Sequence, residues 1–325
     1  MSRPTVSRTV RFFEVQLHDT TPGQEGPTLQ QKWKDVIPHV HQSISSANSA
    51  HHLTPVTRNG LEYVGWADND SVTNENYLLI GKRRSASDNP GVEDGADVPQ
   101  PLSLPTGQRL VEPSYLLPVP GTPYVATVGS SHCPRGGAMA QWVTQVGDYT
   151  SKNLEIHFVP VLRKDAAQRL RRAQAGLSLT VKLPAPAIDN SWRDPIGSAL
   201  GVVKGLTGGE GTVCIDISLG RHKKSRLQGE VDFLSVIQEA ESLEQDAIDL
   251  KARVRVPEGD RLKSETIDFL KDVLTQRVKI DCSPDESPSA TSMMLALREA
   301  IASNQSHLSG RSDVAGQQHD FALAQ

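Results

Sequence analysis

Apolar and polar positions alternate along much of the chain, and the period of that alternation predicts most elements. In "RTVRFFEVQL" Val10 and Phe12 fall on one side and Phe13, Val15 and Leu17 on the other. A run apolar on both sides reads as a strand buried on both faces. "TLQQKWKDVIPHVHQSI" places Leu29, Trp33, Val36, Ile37, Val40 and Ile44 at helical spacing, with Thr28 as N-cap and a kink at Pro38. "LEYVGWA" and "NYLLIGKRR" read as strands, as do Tyr115 to Leu117 and Tyr124 to Val128. "GGAMAQWVTQVGDY" reads as a short helix carrying Met139, Trp142, Val143 and Val146. Between these lies Ser85 to Gly107, rich in Pro, Gly, Ser and Asp, which reads as a flexible linker.

The middle of the chain alternates strictly. "LEIHFVPVL" puts Leu154, Ile156 and Phe158 on one face. "LSLTVKLPA" points Leu177, Leu179, Val181 and Leu183 inward and Ser178, Thr180 and Lys182 outward. "VCIDISL" points Val213, Ile215, Ile217 and Leu219 inward. "DLKARVRVPEG" points Leu250, Ala252, Val254 and Val256 inward, with Lys251, Arg253 and Arg255 outward. Such strands belong to a sheet with one covered and one solvated face. Glu230 to Asp249 reads as a helix with an acidic wet side, packing Val231, Leu234, Ile237 and Leu243. "SETIDFLKDVLTQRV" predicts a helix capped by Ser264 and packed through Ile267, Leu270, Val273 and Leu274. "SATSMMLALREAIAS" predicts another, packed through Met293, Met294, Leu297 and Ile301, before a frayed tail from about 305.

These elements predict an α+β fold in two lobes, with antiparallel-rich sheets and packed helices. Residues 1–150 form an N-terminal body interrupted by the linker at 85–107. Residues 151–257 form a strand-rich middle lobe containing a basic helix. Residues 258–325 form helices that return to the body.

Composition narrows the function. The chain has 325 residues, 22% of them charged, and a net charge of -4, so any anion site is a local patch and not a uniformly basic surface. Aromatics make up 5%, which argues against a stacking platform for single strands. Cys133, Cys214 and Cys282 are spaced for neither a disulfide framework nor a thiolate zinc site, which points to a reducing cytoplasm. The N-terminal run lacks a signal-peptide core, and no segment approaches the roughly 20 apolar residues of a membrane span, so no direct membrane insertion is expected.

The positive charge is clustered. With Lys164 to Ala175 as a helix, Ala166, Leu170 and Ala173 form a narrow apolar stripe, Asp165 and Arg169 form an i, i+4 pair, and Gly176 ends the helix. Taken alone, Lys164, Arg169, Arg171 and Arg172 read as a solvated face with cations suited to the helix C-terminus. The helix has company: Lys82, Arg83 and Arg84; Lys182; Arg221, Lys223, Lys224 and Arg226; and the row containing Arg253 and Arg255. That row also has a plain reading, an edge strand guarded by charge. Clusters segregated from the acid at Glu230 to Asp249 suit a binder of the double-stranded DNA backbone, which recognises phosphate and not base edges. A protein-interaction module whose basic face meets an acidic partner is a second reading. A metal-dependent nuclease is a third.

No catalytic centre, metal site or cofactor is specified. "KGLTGGEGT" lacks the Lys-Ser or Lys-Thr pair of a phosphate loop. His39, His41, His51 and His52 have no carboxylate or thiol at ligand spacing. Ser131, His132 and Cys133 are chain neighbours, which in a strand point to opposite faces. Asp216 and Asp281 lack the converging acids of a two-metal site.

One order of motifs resembles a known family. "VPVL" at Val159 to Leu162 leads into the basic helix, then an alternating strand ending in "KLP" at Lys182 to Pro184. "IDISLGR" at Ile215 to Arg221, the acidic segment and a strand with a glycine turn follow. This order, over Leu154 to Ile280, resembles the RexA-like phage-exclusion proteins. The resemblance implies an intracellular, two-domain homodimer without a catalytic centre. It would bind DNA without marked sequence preference and act as the sensor for a small, separate membrane effector.

Overall fold

The strands foreseen from alternation are present in a computed structural model of the chain, and antiparallel pairing organises them into two main sheets. The structure describes residues 5–21, 26–29, 36, 39–40, 56–58, 60–84, 91–92, 100–185, 188, 195–206, 211–218, 233–234, 236–237, 247–259, 261–282 and 287–309; at 26–29, 91–92, 100–101, 195 and 309 only the backbone is described. The fold is mixed α+β. The chain divides into two compact units: unit 1 is Met1–Val10, Val15–Ile156 and Gln276–Gln305, and unit 2 is Arg11–Glu14, His157–Thr275 and Ser306–Gln325.

The larger sheet follows the order β10 (Leu154–Pro160), β1 (Thr5–Asp19), β9 (Tyr124–Gly129), β8 (Val111–Pro118), β5 (Glu75–Arg83), β4 (Leu61–Asp70) and β3 (Val56–Arg58), and β9, β8, β5, β4 and β3 lie wholly in unit 1. β2 (Gly26–Leu29) and β15 (Thr275–Asp281) also pair with β1. Val64, Leu78, Ile80, Leu116 and Val125 are fully buried. Helix α1 (Gly136–Val146) lays Trp142 against β4 at Gly65. A Cβ at Gly65 would lie 2.6 Å from the Leu79 carbonyl and 3.0 Å from the Trp142 ring, so the strand needs glycine there. Helix α4 (Ala290–Ser303) is capped by Ser289, whose hydroxyl accepts the Ser292 N–H at 3.1 Å. Its Thr291 hydroxyl donates to Asp70 at 2.7 Å, tying the helix to the β4–β5 hairpin.

Unit 2 contains a four-stranded antiparallel sheet of order β12 (Thr212–Ser218), β11 (Ala175–Pro184), β13 (Asp249–Glu258), β14 (Arg261–Asp268). The register aligns Ile217, Leu179, Ala252 and Ile267 in one row across all four strands. Leu179, Ala252 and Ile267, together with Val181, Leu183, Leu250 and Val254, belong to one buried core, and the half-buried Ile217 packs against it. Helix α2 (Lys164–Arg172) joins that core through Ala166, Ala167 and Leu170. Helix α3 (Pro195–Leu206), through Ile196 and Leu200, adds to it beside β12. Phe233, Leu234, Val236 and Ile237 are helical and pack on the same core.

Several expectations are corrected. The helix foreseen from Ser264 to Val278 is β14, a turn and β15. Ile267 pairs with Ala252, so partnership with β13 overrides a spacing that also fits a helix. The Asp268 carboxylate accepts the Leu270 and Lys271 N–H groups at 3.2 Å, and Asp272 accepts the Asp268 N–H at 3.1 Å. Such local bonds compete with helix and fix the chain reversal. Thr28 does not cap a helix, because Gly26–Leu29 pairs with β1; of the helix foreseen there, Val36, His39 and Val40 are helical and most of the rest lies outside the described residues. Gly176 does not terminate α2. The helix ends at Arg172, and Gly176 is a buried position of β11, where a Cβ would lie 2.8 Å from the Ile237 side chain. Within the foreseen linker, β6 (Gly91–Val92) pairs with β7 (Gln100–Pro101). Residues from 305 are not frayed at once: α5 (Gln305–Ser309) continues the chain with Leu308 buried. Most of the acidic segment at Glu230 to Asp249 lies outside the described residues.

Candidate nucleic-acid interface

The sheet of unit 2 buries one face and leaves the other polar. Strand alternation makes every residue opposite an outward one in register share its face. One outward row reads Ser218, Ser178, Arg253, Thr266 across the four strands. Beside it, Arg255 of β13 stands between Ala175 and Ser264. On the other side a row reads Asp216, Thr180, Lys251, Asp268, and beyond it Cys214, Lys182, Asp249. The face therefore has two ends. Around Arg253 and Arg255 the cross-strand neighbours are hydroxyls and an alanine. Around Lys182 and Lys251 they include three carboxylates. Arg253 and Lys182 are exposed, as are Ser218, Ser264 and Thr266.

At the mixed end the charges neutralise one another. Lys251 Nζ sits 2.7 Å from Asp249 Oδ1 and 2.8 Å from Oδ2. The hydrogen bond to Asp249, with the charges of Asp249 and Asp268, pushes the Lys251 pKa up and outweighs desolvation, which lowers it. Thr180 donates to Asp216 at 2.6 Å. At the hydroxyl end Arg253 Nη2 donates to Ser264 Oγ at 3.3 Å, a long bond between exposed groups.

The basic helix lies on the opposite side of the sheet. Ala166, Ala167 and Leu170 join the core with Leu179, Ala252 and Val254, so α2 covers the apolar face, whereas Lys182, Arg253 and Arg255 occupy the polar one. Arg171 and Arg172 are exposed, yet the arginines of this segment also bond to the protein. Arg169 donates to the Thr266 carbonyl at 3.2 Å and reaches Asp272 at 3.4 Å, Asp165 at 3.7 Å and Glu265 at 3.9 Å. Arg163 reaches Asp272 at 2.8 Å. Arg172 Nη2 donates to the Pro257 carbonyl at 2.9 Å, and Arg171 Nε to the Ala167 carbonyl at 3.3 Å. Lys164 is exposed at the first helical position. These contacts clamp α2 to β13, β14 and the Asp268–Asp272 turn, which explains much of the arginine density in this segment.

No protein-family model matches the chain, and no curated protein does. Its chemistry is therefore argued from its own residues.

The remaining predicted cations are placed differently. Lys82, Arg83 and Arg84 belong to unit 1. Arg83 pairs with Glu62 at 3.1 Å, which also holds Arg109 at 3.1 Å. Arg84 Nε donates to Glu112 at 2.7 Å. Burial raises the Glu112 pKa, but hydrogen bonds from Ser130 and Arg84, with the Arg84 charge, outweigh it and leave the carboxyl below its ordinary range. Arg221, Lys223, Lys224 and Arg226 lie outside the described residues. The plain reading of the cation row is corrected, because β13 runs between β11 and β14 and is not an edge. Among the described residues, no group of three or more His, Cys, Asp and Glu is placed to hold a metal ion, and no helix is long and apolar enough to cross a membrane. Sequence reasoning missed Ser264 and Thr266 as neighbours of Arg253 and Arg255, because it read that stretch as a helix. The signal lay in the glycine turn "PEGD", which folds β14 back on β13 with Gly259 at φ 61°.

Proposed function

We propose that unit 2 binds the phosphate backbone of double-stranded DNA, without reading sequence, over the hydroxyl end of its open sheet face. The observation that supports this is the outward row Ser218, Ser178, Arg253, Thr266 together with Arg255 beside Ser264. Guanidinium groups flanked by hydroxyls offer charged and neutral donors to phosphate oxygens. Lys182, at the far end, contributes long-range attraction. The helix residues Lys164, Arg171 and Arg172 belong to the other side of the sheet, where Arg172 donates to the Pro257 carbonyl. The resemblance to RexA-like phage-exclusion proteins supplies the wider setting: a cytoplasmic homodimer that senses DNA and signals to a separate membrane effector.

The test is anisotropy titration of two duplexes of unrelated sequence. Equal affinity for both is expected, with loss of binding to both in the variant Arg253→Glu, Arg255→Glu. A strong preference for one duplex, or full binding by the double variant, would remove this face from the reading. One observation favours a protein partner as the second reading: Val202 and Leu206 of α3 are exposed, at 68% and 83%. Capture of a protein by a chain that binds neither duplex would favour it.

A further inference from the structure

The open face carries four cations, yet they are not equivalent. On β13 they stand at every second residue, about 6.8 Å apart along the strand, so Lys251, Arg253 and Arg255 form a straight track. A backbone following that track would meet Arg255, then Arg253, then Lys251. The last position is already occupied by carboxylate. Asp249 chelates the Lys251 ammonium through both oxygens, at 2.7 and 2.8 Å, and Asp268 lies opposite it in register. Asp216 closes the same row on β12. An incoming phosphate at Lys251 would face these three acids as well as the lysine.

Resting on the phosphate-binding reading above, we infer that Asp249 and Asp268 form an acidic stop that withholds Lys251 from the polyanion and confines its contact to the Arg253–Arg255 end of the sheet. The stop limits the number of phosphates neutralised and so keeps binding weak and salt-sensitive at a low order. The raised Lys251 pKa agrees with an ammonium held by its neighbours. The acids act as positioning residues, through Lys251 and by repulsion, and make no contact with the ligand themselves.

The experiment compares Asp249→Asn with Asp165→Asn, using the full chain and a duplex of arbitrary sequence over a series of salt concentrations. Both substitutions remove one negative charge from unit 2. Asp165 is exposed on α2, on the other side of the sheet. Each phosphate neutralised adds about 0.9 to the slope of log K against log salt. Asp249→Asn is expected to steepen the slope by about 0.9 and to raise affinity several-fold at low salt, while Asp165→Asn leaves the slope unchanged. Adding Lys251→Ala to Asp249→Asn should return the slope to the wild-type value. An unchanged slope in Asp249→Asn, or an equal change in both single variants, would overturn the acidic stop while leaving the phosphate-binding reading in place. Wild-type protein that binds no duplex at low salt would overturn that reading and the stop with it.

Discussion

Replacing Arg169 with methionine separates an arginine that holds the fold from one that would hold a ligand. Methionine keeps the apolar stem and removes the guanidinium. In the structure that group makes one hydrogen bond to the Thr266 carbonyl at 3.2 Å and ionic contacts with Asp272, Asp165 and Glu265 between 3.4 and 3.9 Å. The side chain is 29% exposed and Asp272 13%, so solvent screens these contacts only in part. A hydrogen bond from a charged donor is worth about 1.5 kcal/mol, and each partly exposed ion pair about 0.5 kcal/mol. Asp272 keeps Arg163 at 2.8 Å and is not left without a counter-charge. The expected loss is therefore about 3 kcal/mol, or roughly 6–12 °C in the melting of unit 2. Thermal and urea unfolding would measure it, with duplex affinity taken on the same preparation. The account expects lower Tm and unchanged affinity per folded molecule. Unaltered stability, or weakened binding at full stability, would refute the assignment of Arg169 to the α2 clamp.

Other perturbations probe the same structure. Leu179→Ala empties a fully buried position in the apolar row and should cost about 2–5 kcal/mol in urea unfolding; a loss below 1 kcal/mol would show that the row is not packed as described. Gly176→Ala should destabilise by about 1–3 kcal/mol, since its Cβ would lie 3.1 Å from the Leu234 backbone nitrogen as well as 2.8 Å from Ile237; a neutral substitution would place that segment elsewhere. Asp70 is held below the ordinary carboxylate range by its bond from Thr291, then by that from Thr73. A lowered folded pKa means the stabilisation is complete above about pH 4 and disappears as pH falls through the lowered value. Asp70→Asn should therefore flatten the acid limb of Tm against pH, and an unchanged limb would contradict the α4–hairpin tie.

The strands were legible because alternation is a local signal. Leu179, Val181, Leu250, Ala252 and Val254 all point where their period directs them. What alternation cannot supply is partnership. Ser264 to Leu274 satisfies helical spacing and strand spacing alike, and only pairing with β13 and the carboxylate-capped turn decide between them. The same gap affected the site. Arg169 and Arg253 look alike in a one-dimensional count of cations. One is surrounded by Asp165, Glu265 and Asp272, the other by Ser178, Ser264 and Thr266, and all of these but Asp165 are brought in by strand pairing and the turn that follows. Charge clustering in sequence therefore pointed to this lobe without showing that α2 and the cation row lie on opposite faces of one sheet.

The most direct test of the phosphate-binding account is the salt dependence of duplex binding by the wild-type chain and by the variant Arg253→Ala, Arg255→Ala. Two lost phosphate contacts should reduce the slope of log K against log salt by about 1.8 and weaken binding equally for any sequence. An identical slope in the two proteins would contradict the account, because the arginines of the open face would then not be the groups that displace counterions from the DNA.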